Sequence, residues 1–86
     1  MKTAVIKVAG TVQGVGFRPF IHRLAEKHKL NGFVYNRTGS VFIKVTGSTP
    51  RVKRCFSDIK NKKPVPAKIN DISIKFEKKV SVYKGF

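Results

Sequence analysis

Acidic residues are scarce in this 86-residue chain: four Asp and Glu stand against nineteen Lys and Arg, a formal net charge of +15. The four are Glu26, Asp58, Asp71 and Glu77, with Glu26 and Asp58 expected on helix surfaces and no carboxylate pair in evidence. Glycosidase chemistry and two-metal hydrolysis both need clustered carboxylates, so both classes are set aside. Cysteine is nearly missing too. Cys55 alone excludes an intrachain disulfide and suits a reducing cytoplasm, the expected location. No apolar run approaches the roughly 18 residues that span a bilayer, so no membrane-spanning segment is expected, and no membrane is among the expected partners. The opening MKTAVIKVAG carries too short an apolar stretch for a signal peptide and reads as a strand. Repeats, low-complexity tracts and dividing linkers are also lacking. One domain, residues 1–86, is expected, burying about 60–65% of its unfolded surface.

Positive charge is what the chain has in excess. It attracts anions: nucleic acid, a membrane surface or a small phosphorylated molecule. The basic residues are scattered, however, with short clusters only at Lys60, Lys62, Lys63 and at Lys78, Lys79. Most of them read as solvated surface.

Apolar spacing gives the elements. TAVIKVA (3–9) reads as a strand with Ala4, Ile6 and Val8 on one face. Residues 19–29 place Phe20, Ile21, Leu24, Ala25 and His28 on one helical face, with Pro19 at the first helical position. NGFVYN (31–36) and SVFIKVT (40–46) are strand-like runs joined by RTG as a hairpin. STP (48–50) supplies an N-cap with Pro50 at the first helical position. Val52, Cys55, Phe56 and Ile59 follow at i, i+3, i+4, i+7. NKKPVP (61–66) ends that helix, INDISIKFE (69–77) alternates as a strand, and VSVY (80–83) reads as a last short one. The order β-α-β-β-α-β predicts a ferredoxin-like α+β sandwich, two helices on one face of an antiparallel sheet. That fold serves many functions and settles none.

The distinctive stretch is GTVQGVGFRPF (10–20), where Gly10, Gly14 and Gly16 lie between the first strand and the first helix. A loop entering a helix offers unpaired N–H groups and the positive end of the helix dipole. Glycines let those amides converge on an anion, and Arg18 adds a planar fork for two oxygens. The stretch fits neither the Walker pattern nor G-x-G-x-x-G. The alternative is a glycine-rich turn beside a surface arginine. His22 and His28 are six apart, without acid or cysteine neighbours at ligand spacing, so neither metal nor cofactor is expected. Cys55 falls among core positions and reads as filler rather than nucleophile. Few acid–base groups suffice for an acyl phosphate, whose leaving group is already good. Asn36 has two readings: an amide that orients the attacking water, or an ordinary turn asparagine.

GTVQGVGFR followed by NGFVYN resembles the acylphosphatase signature, V-Q-G-V-x-F-R before a helix and G-x-V-x-N closing the second strand. The resemblance covers nearly the whole chain, including Pro64 or Pro66, Ala67 and Ile69 before the fourth strand. It implies a phosphate cradled by backbone N–H groups of Gln13, Gly14, Val15, Gly16, Phe17 and Arg18. It also implies Arg18 as the phosphate-binding guanidinium, Asn36 as the residue positioning water, and neither metal nor covalent intermediate. GFRPF is similar to the N-terminal acylphosphatase-like domain of the hydrogenase-maturation carbamoyltransferases (the HypF family). NRTGSV also lacks the acid that stand-alone acylphosphatases usually carry before that glycine. This closer resemblance implies hydrolysis of carbamoyl phosphate, carbamate passed to other domains for ATP-dependent activation, and eventually the cyanide ligands of a nickel–iron hydrogenase. It further implies a native chain continuing past Phe86.

A stand-alone acylphosphatase is the alternative. A nucleic-acid module is a more distant rival, since Phe33, Tyr35 and Phe42 lie on strands. SVFIKVT, however, lacks the Arg/Lys-Gly-aromatic pattern of RNA-recognition sheets. Nucleic acid is therefore expected to bind only non-specifically. The expected partners are the acyl phosphate substrate and inorganic phosphate.

Overall fold

The computed structural model describes residues 1–86. It runs β1 (Lys2–Thr11), α1 (Phe17–Lys27), β2 (Asn31–Arg37), β3 (Ser40–Gly47), α2 (Thr49–Asn61) and β4 (Lys68–Phe76). The strands form one antiparallel sheet in the order β2-β3-β1-β4, the ferredoxin-like arrangement. Strand alternation sends Ala4, Ile6 and Val8 of β1 and Val41, Ile43 and Val45 of β3 to the helical side, where all six are fully buried. Phe20, Ile21, Leu24 and Ala25 of α1 and Val52, Cys55 and Ile59 of α2 close over them as a single core. No helix is long and apolar enough to cross a membrane.

Boundaries moved where packing outweighed local signals. Phe17 is buried beneath the sheet end, with its ring 5.6 Å from that of Phe20, so α1 begins there rather than at Pro19. Pro19 becomes the third helical residue, still inside the turn whose N–H groups have no helical partner. Ser48, not Thr49, caps α2, and Pro50 stands second in that helix. His28 is the C-cap of α1 rather than part of its apolar face, and Phe56 is only partly buried beneath the Lys60 ammonium. Gly10 lies inside β1 at a bulge, where a Cβ would strike the Lys68 carbonyl oxygen.

The VSVY run is not a strand. Residues after β4 cross the open side of the sheet, held by hydroxyls instead of a ladder. The Ser81 N–H donates to Thr3 Oγ1 at 2.8 Å, and Thr46 Oγ1 donates to the Ser81 carbonyl at 2.6 Å. The Gly32 N–H at the β2 edge then donates to the Gly85 carbonyl at 2.9 Å. Phe86 ends against His22 of α1.

Candidate active site

The loop between β1 and α1 is pinned at both ends by apolar anchors. Val12 and Phe17 are each 1% exposed, so the four residues between them are held as an arch while their backbone stays free. Gly14 and Gly16 take φ of 73° and 77°, the left-handed region that glycine enters without a Cβ penalty. Gly16 is also the N-cap of α1 and offers no side chain to the helix. None of the N–H groups of Gln13, Gly14, Val15 and Gly16 donates a hydrogen bond within the chain. Those of Phe17 and Arg18, first in the helix, have no carbonyl four residues back within it. Consecutive unpaired donors at the positive end of a helix dipole make a nest for an anion.

A hollow of about 220 Å³ opens over this arch, lined by Val12, Gln13, Gly14, Gly16, Phe17, Arg18, Pro19 and Asn36. Arg18 projects from the second position of α1 and Asn36 from the penultimate residue of β2. The fold thus brings together every expected site residue except Val15, whose side chain packs partly against the core. Arg18 makes no ion pair. Asp58 is taken by Lys27, His28 and Lys62, and Glu77 by Lys44. The guanidinium is left available to a ligand.

Sequence reasoning missed the strut that joins the two halves. Gln13 Nε2 donates to the Arg37 carbonyl at 2.7 Å and the Ser40 carbonyl at 3.2 Å, tying the arch to the β2–β3 hairpin that carries Asn36. No local signal marks a contact across 24 residues. The burial of Val12 and Phe17 was likewise not read from the sequence, although both are apolar positions beside Gly14 and Gly16.

Elsewhere two ionisable groups, Cys55 and Asp58, are tied into the packing of α2. The Cys55 thiol is pushed up to about 12, first by burial and then by nearby Asp58, so it is not a ready nucleophile. Asp58, expected on a helix surface, is only 17% exposed. The hydrogen bond from His28 Nε2, at 2.8 Å, holds its carboxyl below the usual range, assisted by Lys62 and Lys27 against some desolvation. No three His, Cys, Asp or Glu side chains gather closely enough to hold a metal ion. Phe33, Tyr35 and Phe42 lie on the open side of the sheet, Tyr35 stacked on Phe42 at 5.4 Å.

An amide nest, an unpaired guanidinium and a carboxamide thus meet around one hollow. Residues 4–86 match the family model for acylphosphatase, and the chain belongs to that family. It is 38% identical over 82 residues to an acylphosphatase of Bacillus licheniformis, covering 94% of this chain and 90% of that one. It is 41% identical over 81 residues to the "Probable carbamoyltransferase HypF" of Methanocaldococcus jannaschii, covering 94% of this chain and 11% of that one. The chain therefore spans about a tenth of the length of the carbamoyltransferases it matches. The crystal structure of acylphosphatase from Bacillus subtilis superimposes with a TM-score of 0.94 at 36% identity, covering 100% of this chain and 96% of that one. Membership of the family supports an acylphosphatase-type hydrolase acting on acyl phosphates.

Proposed function

We propose that the chain hydrolyses carbamoyl phosphate as the acylphosphatase domain, residues 1–86, of a larger carbamoyltransferase. The observation that supports the chemistry is the meeting of free loop amides, Arg18 and Asn36 around one hollow. The phosphoryl oxygens accept hydrogen bonds from the amides of Gln13 to Arg18 and from the two-pronged guanidinium. The Asn36 amide orients a water toward phosphorus, opposite the acyl oxygen. The water oxygen bonds to phosphorus as the phosphorus–acyl oxygen bond breaks, and the carboxylate leaves with that electron pair. The water proton passes to the product phosphate or to solvent. A carboxylate is a weak base, ionised above a pKa of about 4, so no general acid is required. Positioning and electrostatic stabilisation carry the rate, as in other phosphoryl transfers.

With carbamoyl phosphate the products are phosphate and carbamate. Carbamate decomposes quickly in water, which favours its direct passage to a neighbouring active site. The likeness to carbamoyltransferases over 94% of this chain supports that setting. A stand-alone acylphosphatase is the second reading, favoured by the 90% coverage of the Bacillus licheniformis enzyme. Phosphate release from carbamoyl phosphate and benzoyl phosphate tests the chemistry; release from neither overturns it. Carbamoyl-phosphate-dependent ATP–pyrophosphate exchange by the full gene product separates the readings. Exchange that survives Arg18→Ala removes the carbamoyltransferase role.

A further inference from the structure

The sheet has a second face, turned away from the helices. Strand alternation sends Phe33, Tyr35 and Arg37 of β2, Phe42 and Lys44 of β3 and Lys7 of β1 to that side. The C-terminal segment covers one end of it, over Thr3 and Thr46, and sets Tyr83 edge-on against Phe33 at 5.4 Å. Beyond that cover the rings continue in file. Phe33 and Tyr35 lie 5.8 Å apart, and Tyr35 stacks on Phe42 at 5.4 Å with the planes only 10° from parallel. Phe33 and Tyr35 are 41% and 38% exposed, so the file is open to a ligand.

Cations flank its far end. Lys7 Nζ lies 5.9 Å from the centre of the Phe42 ring, and the Arg37 guanidinium lies 5.8 Å from it. Neither makes an ion pair. Of the acids on this side, Glu77 is taken by Lys44, and Asp71 stands opposite Ala9 on β4. An open hollow of about 710 Å³ gathers Lys7, Arg37 and Phe42, and Arg18 is not part of its lining.

We propose that this face binds single-stranded nucleic acid, with bases stacked on Phe33, Tyr35 and Phe42 and phosphates held by Lys7 and Arg37. Charge complementarity selects the occupant. The chain carries +15, and its two unpaired cations here stand beside rings rather than apart from them. A single strand offers π-faces and anions together, whereas a duplex keeps its bases stacked on one another. An acidic peptide would satisfy the cations and leave the rings unmatched. Every base has a π-face, so binding tolerates any sequence, in keeping with a β3 that lacks the Arg/Lys-Gly-aromatic pattern. The proposal is independent of the hydrolase reading, because none of these rings lines the hollow beside Arg18.

Fluorescence anisotropy of a labelled oligothymidine of about ten nucleotides, set against a duplex of the same length, tests it. The unaltered chain should bind the single strand more tightly than the duplex. Tyr35→Thr should weaken single-strand binding by about tenfold, the scale of one lost stacking contact, and leave duplex binding alone. Tyr35→Phe keeps the ring and should bind as the parent does. Lys7→Gln with Arg37→Gln should flatten the log–log salt dependence by about 1.4, at roughly 0.7 per phosphate. Lys53→Gln with Arg54→Gln removes the same charge from exposed positions on α2 and should leave the slope as in the parent. Equal flattening by the two pairs, with no effect of Tyr35→Thr, would reduce the binding to a diffuse basic surface and overturn the proposal. So would a duplex bound as tightly as the single strand, or ring-dependent binding to anionic lipid vesicles with none to the oligonucleotide.

Discussion

The two helices begin in opposite ways. At α2, Ser48 accepts the Arg51 N–H on its Oγ at 3.4 Å, a side-chain cap that satisfies one of the orphan donors. At α1 the N-cap is Gly16 in a left-handed conformation, with no side chain to give. A glycine in place of a side-chain cap costs a helix only about a few tenths of a kcal/mol. The fold carries that cost at α1, where Val12 and Phe17 hold the loop from below, and avoids it at α2. The donors left open are the ones that face the hollow with Arg18 and Asn36. Stability and ligand binding thus compete for the same N–H groups, and the two helices resolve that competition differently.

If the open end of α1 is the working end, its loss should dwarf anything done to α2. Arg18→Ala should lower kcat/KM by at least about 100-fold, on the order of 3 kcal/mol, and weaken inhibition by inorganic phosphate. Arg18→Lys should recover little, since an ammonium cannot reproduce the fork. Unchanged phosphate inhibition in Arg18→Ala would remove the cradle. Asn36→Ala should lower kcat by roughly 10- to 100-fold with a smaller change in phosphate inhibition, because its amide acts on water rather than on the bound ion. Equal losses in both would make Asn36 a turn residue only.

Stability measurements sharpen the contrast. Nothing lies within 4 Å of a Cβ built on Gly16, so Gly16→Ala meets no steric block. Its cost is the left-handed backbone, about 1–2 kcal/mol. A rotation that relieves the strain would turn the amides from the cavity, so turnover should fall as well. Ser48→Ala should cost about 1 kcal/mol and leave turnover alone. Thermal unfolding and phosphate release on the same two variants decide it: a Ser48 variant that loses turnover would erase the distinction between the helices.

How much of this was legible follows from the range of the forces involved. Alternation in β1 and the i, i+3, i+4, i+7 spacing in α2 report burial directly, so fold order and most core residues could be read from the chain. That the glycine loop, Arg18 and Asn36 would meet was implied by the family resemblance, and the fold places them around one hollow. Val15 was grouped with the cradle for its backbone N–H, which has no partner in the chain, while its side chain leans on the core. The Gln13 strut and the Thr3–Thr46–Ser81 hydroxyl cluster span 24 residues and more, and nothing local encodes them. The VSVY run failed for the opposite reason. Its β-branched residues satisfy a strand pattern, yet buried hydroxyls draw the chain across the sheet before it can pair.

The smallest expected effect concerns the far end of α1, where one carboxylate gathers three basic side chains. Asp58 accepts the His28 hydrogen bond and lies within 3.6 Å of both Lys27 and Lys62, which joins the C-terminal turn of α1 to α2. Its carboxyl is held below the ordinary value of 3.8, first by His28 and against desolvation, then by Lys62 and Lys27. A folded-state pKa below the unfolded one means that the unfolded chain takes up the proton first as pH falls. The stabilisation is therefore whole above the ordinary carboxylate range and disappears as pH drops through the lower folded value. Asp58→Asn should lower stability at pH 7 by about 1 kcal/mol or less, given partly exposed partners. The difference between variant and parent should narrow below about pH 4. Turnover at pH 7 should not change, because nothing in this cluster lines the hollow beside Arg18. Unfolding midpoints of the two proteins measured from pH 7 to pH 3 would check it. A gap that widens on acidification would mean that the ion-paired carboxylate is not what joins the helices.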